Sequence, residues 1–346
     1  MIPGVPLVEI GRETLEPLPT TGLAHDHFRV PGTGRLLRVP KQSQMALAAR
    51  DNLLYQAACF ARASASGHAP RLHGLVAPSP EWPMGALLVD EIPGRPPILP
   101  DDLPAIAMAI GRIHGLPLPP AEARAPLHDQ ADPVAATLEE VRRQAIHLEA
   151  AELHPAARAA IEHELEAAAT FAAGGRPPVT LISFDAHPGN FLIRSDGAAV
   201  LVDLEKGRYG CPGFDLAHAS LYTSTTWDVA TYAELSPDEV AAFYAGWLAA
   251  VPAPLAAAAR PWLMSTRRLM WLWSVTWCAK WRVQSARARR AETTTTGSTE
   301  DWSAELSAAE LIAHVRGRVD HYLDPDTITR IRTEWQSRNP LTDLLA

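Results

Sequence analysis

The sequence predicts an α+β protein with two lobes, a small strand-rich lobe followed by a larger, mainly helical one. Short apolar runs separated by turn residues dominate residues 1–92. Long segments rich in alanine, leucine and glutamate, with helical spacing of their apolar residues, make up most of residues 93–346. Three short apolar runs interrupt these helices near residues 179–202. We therefore divide the chain between residues 92 and 93.

The small lobe contains alternating strand candidates around one helix. Phe28 to Val30 and Leu36 to Val39 are apolar runs joined by a turn of proline and glycine residues. Apolar residues recur at helical spacing over residues 44–63, which predicts a helix. Residues 72–76 and 86–89 then supply the strands that would complete a small sheet.

The large lobe is predicted to be a series of helices with recognisable ends. One begins near Pro104 and ends before Gly115, where proline and glycine occupy their preferred positions. Ser236 and Glu239 form a capping-box pattern at the start of another. The remaining helix candidates cover residues 133–150, 154–173, 215–222, 260–285 and, as two closing helices, 302–336, after a polar loop at 293–299.

Composition limits the class of protein. The chain has 346 residues, of which 47% are hydrophobic and 20% charged, and this is typical of a soluble globular protein. A net charge of −8 argues against nucleic acid as the main partner and is compatible with a cationic ligand. No apolar run is long enough to span a membrane. Nothing in the sequence indicates a protein partner.

Cysteine usage and the N-terminus indicate the compartment. Cys59, Cys211 and Cys278 are scattered and odd in number, which supports neither a disulfide framework nor a zinc ribbon. The first residues contain no basic region followed by an apolar core, so we predict no signal peptide. A reducing, cytoplasmic location is expected.

Polar side chains cluster around the three short strands of the large lobe. Asp185 follows the first run, Asn190 precedes the second, and Asp203 ends the third. Asp196 and Gly197 supply a hairpin turn between the last two runs, which brings these side chains together. Hard oxygen ligands in one loop suit Mg²⁺, which completes its shell with water and phosphate.

These motifs resemble a known family. Asp-Ala-His-Pro-Gly-Asn at 185–190, Val-Asp-Leu-Glu at 202–205 and the Tyr-Gly-Cys-Pro-Gly-Phe-Asp-Leu-Ala segment at 209–217 are similar to the aminoglycoside phosphotransferase and choline kinase family. An isolated aspartate before asparagine is usually turn chemistry, but here the motifs stand in the family's order and distance. The resemblance implies a protein-kinase-like fold and ATP-dependent phosphoryl transfer to a hydroxyl of a small molecule.

The resemblance also implies roles in the large lobe. Asp185 would orient and deprotonate the acceptor hydroxyl. Asn190 and Asp203 would hold Mg²⁺ on the phosphates of ATP, with Glu205 as a further contact. Asp215 would brace the catalytic loop through backbone hydrogen bonds, and His187 would brace it too. Many relatives have histidine at the position of Ser183, where it braces the metal-binding aspartate; with the shorter serine this brace must be rebuilt or is weaker.

In the small lobe, the resemblance assigns nucleotide contacts. Residues 20–27 would be a loop over the phosphates, with Gly22 allowing close backbone approach. Arg38 falls at the position of the strand cation that binds the α- and β-phosphates, and Lys41 is the alternative. Asp51 would be the helix acid that pairs with this cation, unless it is a solvent-facing helix residue.

The resemblance also implies where adenine binds. The lobes would join at a hinge where the carbonyl of Asp90 and the N–H of Ile92 bind the adenine ring.

A histidine pair in the small lobe raises the question of a metal site. His25 and His27 would share one face of a strand, but we find no third metal ligand near them in the sequence, which favours a polar loop over a metal site.

The acceptor is indicated by one aromatic stripe. Trp273, Trp277 and Trp281 are spaced at helical intervals on one face. They form either an aromatic wall for a cation such as an aminoglycoside or a choline-like amine, or a helix core, which is the commoner use of such stripes. A pseudokinase or ligand-binding module without transfer is the alternative function. A protein kinase fits less well, because the chain lacks an Ala-Pro-Glu segment.

Overall fold

The small lobe is an antiparallel sheet with one helix on it. The computed structural model describes residues 4–18, 24–291 and 309–346. Its first five strands pair in the order β1-β2-β3-β5-β4. Their bounds, with that of the helix α1, are β1 Glu16–Pro17, β2 His25–Val30, β3 Arg35–Pro40, α1 Ala49–Ala63, β4 Leu72–Val76 and β5 Ala86–Asp90.

The central strand β3 explains how this sheet holds together. Leu37 is fully buried, and Arg38 beside it is only 5% exposed although it is charged. Gly32 and Gly34 adopt positive φ in the turn from β2 to β3, a conformation that favours glycine and permits the tight hairpin. Helix α1 covers the sheet with Leu53 and Phe60.

The chain passes into the helical lobe just after β5. Strand β6, Gly94–Arg95, pairs with β8 of the large lobe. The remaining strands are β7 Thr180–Ile182, β8 Phe191–Arg194, β9 Ala199–Leu201 and β10 Arg208–Gly210. The helices are α2 Leu103–His114, α3 Pro133–Ala145, α4 Pro155–Ala172, α5 Pro212–Ser220, α6 Tyr222–Thr225, α7 Pro237–Ala250, α8 Ala253–Ala259, α9 Leu263–Ala291, α10 Ala309–Tyr322, α11 Pro325–Gln336 and α12 Pro340–Leu345.

Most predicted elements are confirmed, including the capping box of Ser236 and Glu239 at the start of α7. The predicted loop over residues 20–27 is wrong at its end, because β2 begins at His25 and pairs along its whole length with β3. Sequence alone missed this extension because a polar run becomes a strand only when a neighbouring strand takes its hydrogen bonds. The C-terminal helix α12 was also missed, and the predicted polar loop 293–299 lies outside the described residues.

Three further features complete the description of the fold. Within the described residues, no helix combines the length and the apolarity needed to cross a membrane. The three cysteines are buried and unbridged. Helix α9 is the central element of the large lobe and packs against α3, α4 and α5.

Candidate active site

The two motifs meet at a hairpin. Strands β8 and β9 pair antiparallel with Phe191 opposite Leu201, and the N–H of Val202 donates to the carbonyl of Asn190 at 2.9 Å. This register brings Asn190 and Asp203, at the ends of the paired strands, to the same edge. The amide of Asn190 in turn donates to the backbone carbonyl of Asp185 at 2.8 Å. The structure therefore brings the backbone at these three positions together, and their joint role in metal binding stays a prediction.

Asp215 fixes the backbone that presents Asp185. Its carboxylate is buried and accepts hydrogen bonds from the N–H groups of Ser183 and Phe184, both at 2.8 Å. Phe184 has a φ of 59°, an unusual conformation for a bulky residue that the surrounding contacts must hold. The brace predicted for Asp215 is confirmed.

A buried relay supports Asp215 from the core. The indole of Trp247 donates to Nδ1 of His114 at 3.1 Å, so the other ring nitrogen carries the proton and donates to Asp215 at 3.1 Å. Ser183 serves its own loop, because its hydroxyl accepts from the N–H of Asp185 at 3.1 Å. The Nδ1 atom of His187 is buried without a hydrogen-bond partner, so the brace predicted for this side chain is not formed through that atom.

Lys206 contacts the predicted base. Its ammonium lies 2.9 Å from Oδ2 of Asp185, with 24% and 27% of the two side chains exposed. Burial would raise the pKa of Asp185, but the charge and hydrogen bond of Lys206, together with the nearby His187 and His218, outweigh it and hold the pKa well below its usual range. Sequence reasoning missed this residue. The available signal was that the chain has only three lysines, and one follows directly after Glu205.

Arg38 reaches across the cleft to Asp203, the aspartate predicted to bind the metal. One terminal nitrogen of its guanidinium donates to Oδ1 of Asp203 at 2.6 Å and to Nδ1 of His25 at 3.1 Å. The guanidinium also lies over the ring of Phe60, 5.8 Å from its centre. Arg38 therefore stands in the cleft between the lobes, and its phosphate contact stays a prediction.

The two alternatives near Arg38 are placed elsewhere. Lys41 pairs with Asp26 at 3.1 Å within the small lobe. Asp51 lies in the exposed first turn of α1, and the ion pair predicted between Asp51 and Arg38 is not formed. The reason is the rotation of α1, which buries Leu53 against the sheet and turns Asp51 outward.

Glu205 is the second acid of the site and is more buried than Asp203. It is 5% exposed, and burial together with the charge of Asp203 raises its pKa well above the usual range. The imidazole of His25 lies beside it, and burial, with the charge of Arg38, keeps the pKa of His25 well below the usual range. No third ligand for His25 could be found near it in the sequence, because Asp203 and Glu205 come from the other lobe.

The donor set fits a divalent cation. Asn190, Asp203 and Glu205 present amide and carboxylate oxygens, the ligands that Mg²⁺ prefers. The Oε2 atom of Glu205 is buried without a hydrogen-bond partner, a condition that a bound cation would relieve.

An aromatic surface packs on Phe184, the residue that precedes Asp185. The ring of Trp273 packs edge-on against Phe184, with centroids 6.1 Å apart, and against His218 at 5.7 Å. Its indole N–H donates to the carboxylate of Glu140 on α3 at 2.9 Å. Trp273 is thus half-buried, and it contacts Phe184, the residue that precedes the predicted base Asp185.

The surface also includes Trp227, a tryptophan that sequence reasoning did not select. Trp277 packs edge-on against Trp227, with centroids 5.7 Å apart, and both are half-buried. The neighbouring Asp228 packs on the catalytic loop, since a Cβ on Gly189 would meet its carboxylate at 2.5 Å. Trp281, by contrast, is 2% exposed and belongs to the core.

The remaining predicted nucleotide contacts are less defined. Gly22 lies outside the described residues. Asp90 ends β5, and its carboxylate accepts from the N–H of Arg71 at 3.0 Å and contacts His73 at 2.6 Å. Ile92 is half-buried in the segment between the lobes. The adenine contacts of Asp90 and Ile92 stay predictions.

Comparisons with known proteins identify the family and the fold. A model of the phosphotransferase enzyme family matches residues 20–262. A comparison with curated sequences finds no significant match. A choline/ethanolamine kinase family protein from Mesorhizobium loti is similar in structure, with a TM-score of 0.56 and 16% identity over 96% of this chain and 90% of that one.

Two antibiotic-modifying enzymes are similar as well. Aminoglycoside 2'-phosphotransferase-IIIa, solved with GDP, gives a TM-score of 0.55 and 15% identity over 92% of this chain and 95% of that one. A spectinomycin phosphotransferase, solved with ADP and spectinomycin, gives 0.55 and 12% over 92% and 91%. At such identities the likeness shows a shared protein-kinase-like fold.

Proposed function

Because the chain belongs to the phosphotransferase enzyme family, we propose that it transfers the γ-phosphoryl group of ATP to a hydroxyl of a small molecule. The observation that carries the proposal is the hairpin edge where the carboxylates of Asp203 and Glu205 lie close together and Asn190 is hydrogen-bonded to the backbone of Asp185. A base next to a metal and phosphate site is the minimum that phosphoryl transfer requires.

Asp185 acts on the acceptor. The hydroxyl oxygen attacks the γ-phosphorus as the bond to the β–γ bridging oxygen breaks, the hydroxyl proton passes to the Asp185 carboxylate, and ADP leaves. Lys206 keeps this carboxylate ionised before the substrates bind. During the reaction its ammonium can also stabilise the negative charge that develops on the transferring phosphoryl group. Most of the rate enhancement then comes from positioning and electrostatic stabilisation.

The phosphates are held from both lobes. A bound Mg²⁺ would neutralise charge that develops on the phosphate oxygens. Asn190, Asp203 and Glu205 are the residues that would hold it. Arg38 releases Asp203 and turns its guanidinium to the α- and β-phosphates, which it can bind with two parallel hydrogen bonds. The hinge backbone at Asp90 and Ile92 would bind the adenine ring.

A cationic acceptor is the class that we favour. Trp227, Trp273 and Trp277 offer half-buried ring surfaces next to the catalytic loop. Glu140 and Asp228 place carboxylates among them. Aromatic faces with nearby acids attract an ammonium group, as in an aminoglycoside or a choline-like amine.

The alternative is a pseudokinase or a ligand-binding module of the same fold. The pairing of Asp185 with Lys206 and of Asp203 with Arg38 is the observation on its side. Both pairs are partly exposed at the acid, however, and a nucleotide carries enough negative charge to attract both cations away.

Direct detection of the product tests the proposal. The protein is incubated with Mg²⁺ and either ATP or GTP, and ³¹P NMR follows a new phosphomonoester for aminoglycosides, choline, ethanolamine and neutral sugar alcohols. We expect turnover with ATP and a cationic acceptor, and none with Asp185→Asn. Nucleotide binding without turnover of any acceptor would instead favour the ligand-binding module.

A further inference from the structure

Two buried polar atoms face each other across the cleft without a hydrogen bond. Nε2 of His25 and Oε2 of Glu205 lie 3.4 Å apart, and the side chains are 3% and 5% exposed. Within the part of the chain that the structure describes, neither atom has a hydrogen bond of good geometry, although the side chain of Gln56 lies close to the His25 ring. Burying the Glu205 oxygen unpaired is costly, so the arrangement indicates that something else satisfies it.

A third potential ligand completes the group. One oxygen of Asp203 lies close enough that it, a ring nitrogen of His25 and a carboxylate oxygen of Glu205 are all within 4.8 Å of one another. His25 belongs to β2 of the small lobe, whereas the two acids follow β9 of the large lobe. A cation bound by all three would therefore connect the lobes.

We propose that His25, Asp203 and Glu205 bind a divalent transition-metal ion, such as Mn²⁺ or Co²⁺, in the absence of nucleotide. The imidazole nitrogen sets this site apart from an all-oxygen magnesium site, because imidazole favours transition metals over Mg²⁺. Only a small movement is needed to bring the three ligand atoms, now within 4.8 Å of one another, to bonding distance from one ion. The proposal does not rest on phosphoryl transfer, since it concerns the protein without nucleotide or acceptor.

Arg38 is the internal competitor for this site. It donates to Nδ1 of His25, which leaves the ring proton on Nε2, the atom that faces Glu205. Metal binding at Nε2 moves that proton to Nδ1, where it would oppose the guanidinium. The metal and the contact of Arg38 with His25 and Asp203 therefore exclude each other. Removing the guanidinium should tighten metal binding.

Metal titration of the nucleotide-free protein tests the proposal. Calorimetry compares Mn²⁺ with Mg²⁺ for the wild type, for His25→Ala and for the control His73→Ala, which removes an imidazole from the same sheet. We expect Mn²⁺ to bind the wild type more tightly than Mg²⁺. His25→Ala should weaken Mn²⁺ about tenfold or more, as removal of a metal-supporting residue typically does, and leave Mg²⁺ nearly unchanged. Arg38→Met should bind Mn²⁺ more tightly than the wild type. The control His73→Ala should bind Mn²⁺ with the affinity of the wild type.

A spectroscopic measurement avoids dependence on the variants. Pulsed EPR of Mn²⁺ bound to the wild type should show coupling to a ligand nitrogen, and His25→Ala should lose that signal while circular dichroism shows it folded. Equal affinity for Mn²⁺ and Mg²⁺, or bound Mn²⁺ without nitrogen coupling, would overturn the proposal. Neither result would affect the assignment of phosphoryl transfer, which is measured separately.

Discussion

The ammonium of Lys206 lies 2.9 Å from the carboxylate of Asp185. If this ammonium stabilises the charge on the transferring phosphoryl group, Lys206→Met should lower kcat by about 10²-fold, the usual effect of losing one donor that stabilises the transition state. Lys206→Arg should keep part of the rate. Steady-state kinetics with ATP check this. A Lys206→Met enzyme with unchanged kcat would leave the lysine only a structural role.

The two aspartates of the hairpin should fail in different ways. Asp185→Asn should lower turnover by roughly 10²–10⁴-fold, the contribution of a positioned base, with nearly intact nucleotide affinity. Asp203→Ala should weaken binding of Mg²⁺-nucleotide itself, because it removes a metal ligand. Calorimetry with ATP, with and without Mg²⁺, separates the two. Normal binding and normal turnover in both variants would disprove the assignment.

The strand cations can be ranked by the same approach. Arg38→Ala should raise KM for ATP and lower kcat, since the phosphate contact strengthens as charge moves. Lys41→Ala should change little, because Lys41 is engaged with Asp26 in the small lobe. The reverse ranking would transfer the phosphate contact to Lys41.

The acceptor site predicts a contrast between two tryptophans. Trp273→Leu should cost about 0.5–2 kcal/mol of binding for a cationic acceptor, measured as a rise in its KM. Trp281→Leu should lower the melting temperature instead, because this side chain is buried in the core. Raising salt should reduce kcat/KM for the acceptor, since the Debye length is only about 8 Å at physiological ionic strength. A neutral acceptor with salt-independent kinetics would contradict this.

His218 should make stability depend on pH. Burial lowers its pKa to about 4, as do Lys206 and His187, although the charges of Asp185 and Asp215 oppose the shift. The unfolded chain, with an ordinary histidine pKa, binds the proton first. The resulting stability is present above pH ~6.5 and is lost as pH falls toward ~4.

Between pH 7 and 5 this linkage amounts to roughly 2 kcal/mol for one such histidine. Urea unfolding at both pH values measures it. His218→Asn should lose less stability over this interval than the wild type by that amount. An identical loss in both proteins would mean that His218 titrates normally in the fold.

The sequence by itself determined what lies close along the chain. Asp185, Asn190 and Asp203 are brought together by one hairpin, and a turn with the right spacing admits few alternatives. The same holds for the capping box that starts α7. For such features the interacting groups lie on one short stretch of chain, and local backbone geometry decides the outcome.

Tertiary structure decided everything that crosses the cleft. Arg38 and Asp203 are 165 positions apart, and their contact at 2.6 Å depends on how the two lobes meet. The contact of His25 with Glu205 depends on the same meeting of the lobes. Asp51, which the family resemblance paired with Arg38, instead faces outward. The helix rotation that turned it away follows from which side chains pack against the sheet. Burial of the whole surface sets that rotation, and no short segment of sequence contains this information.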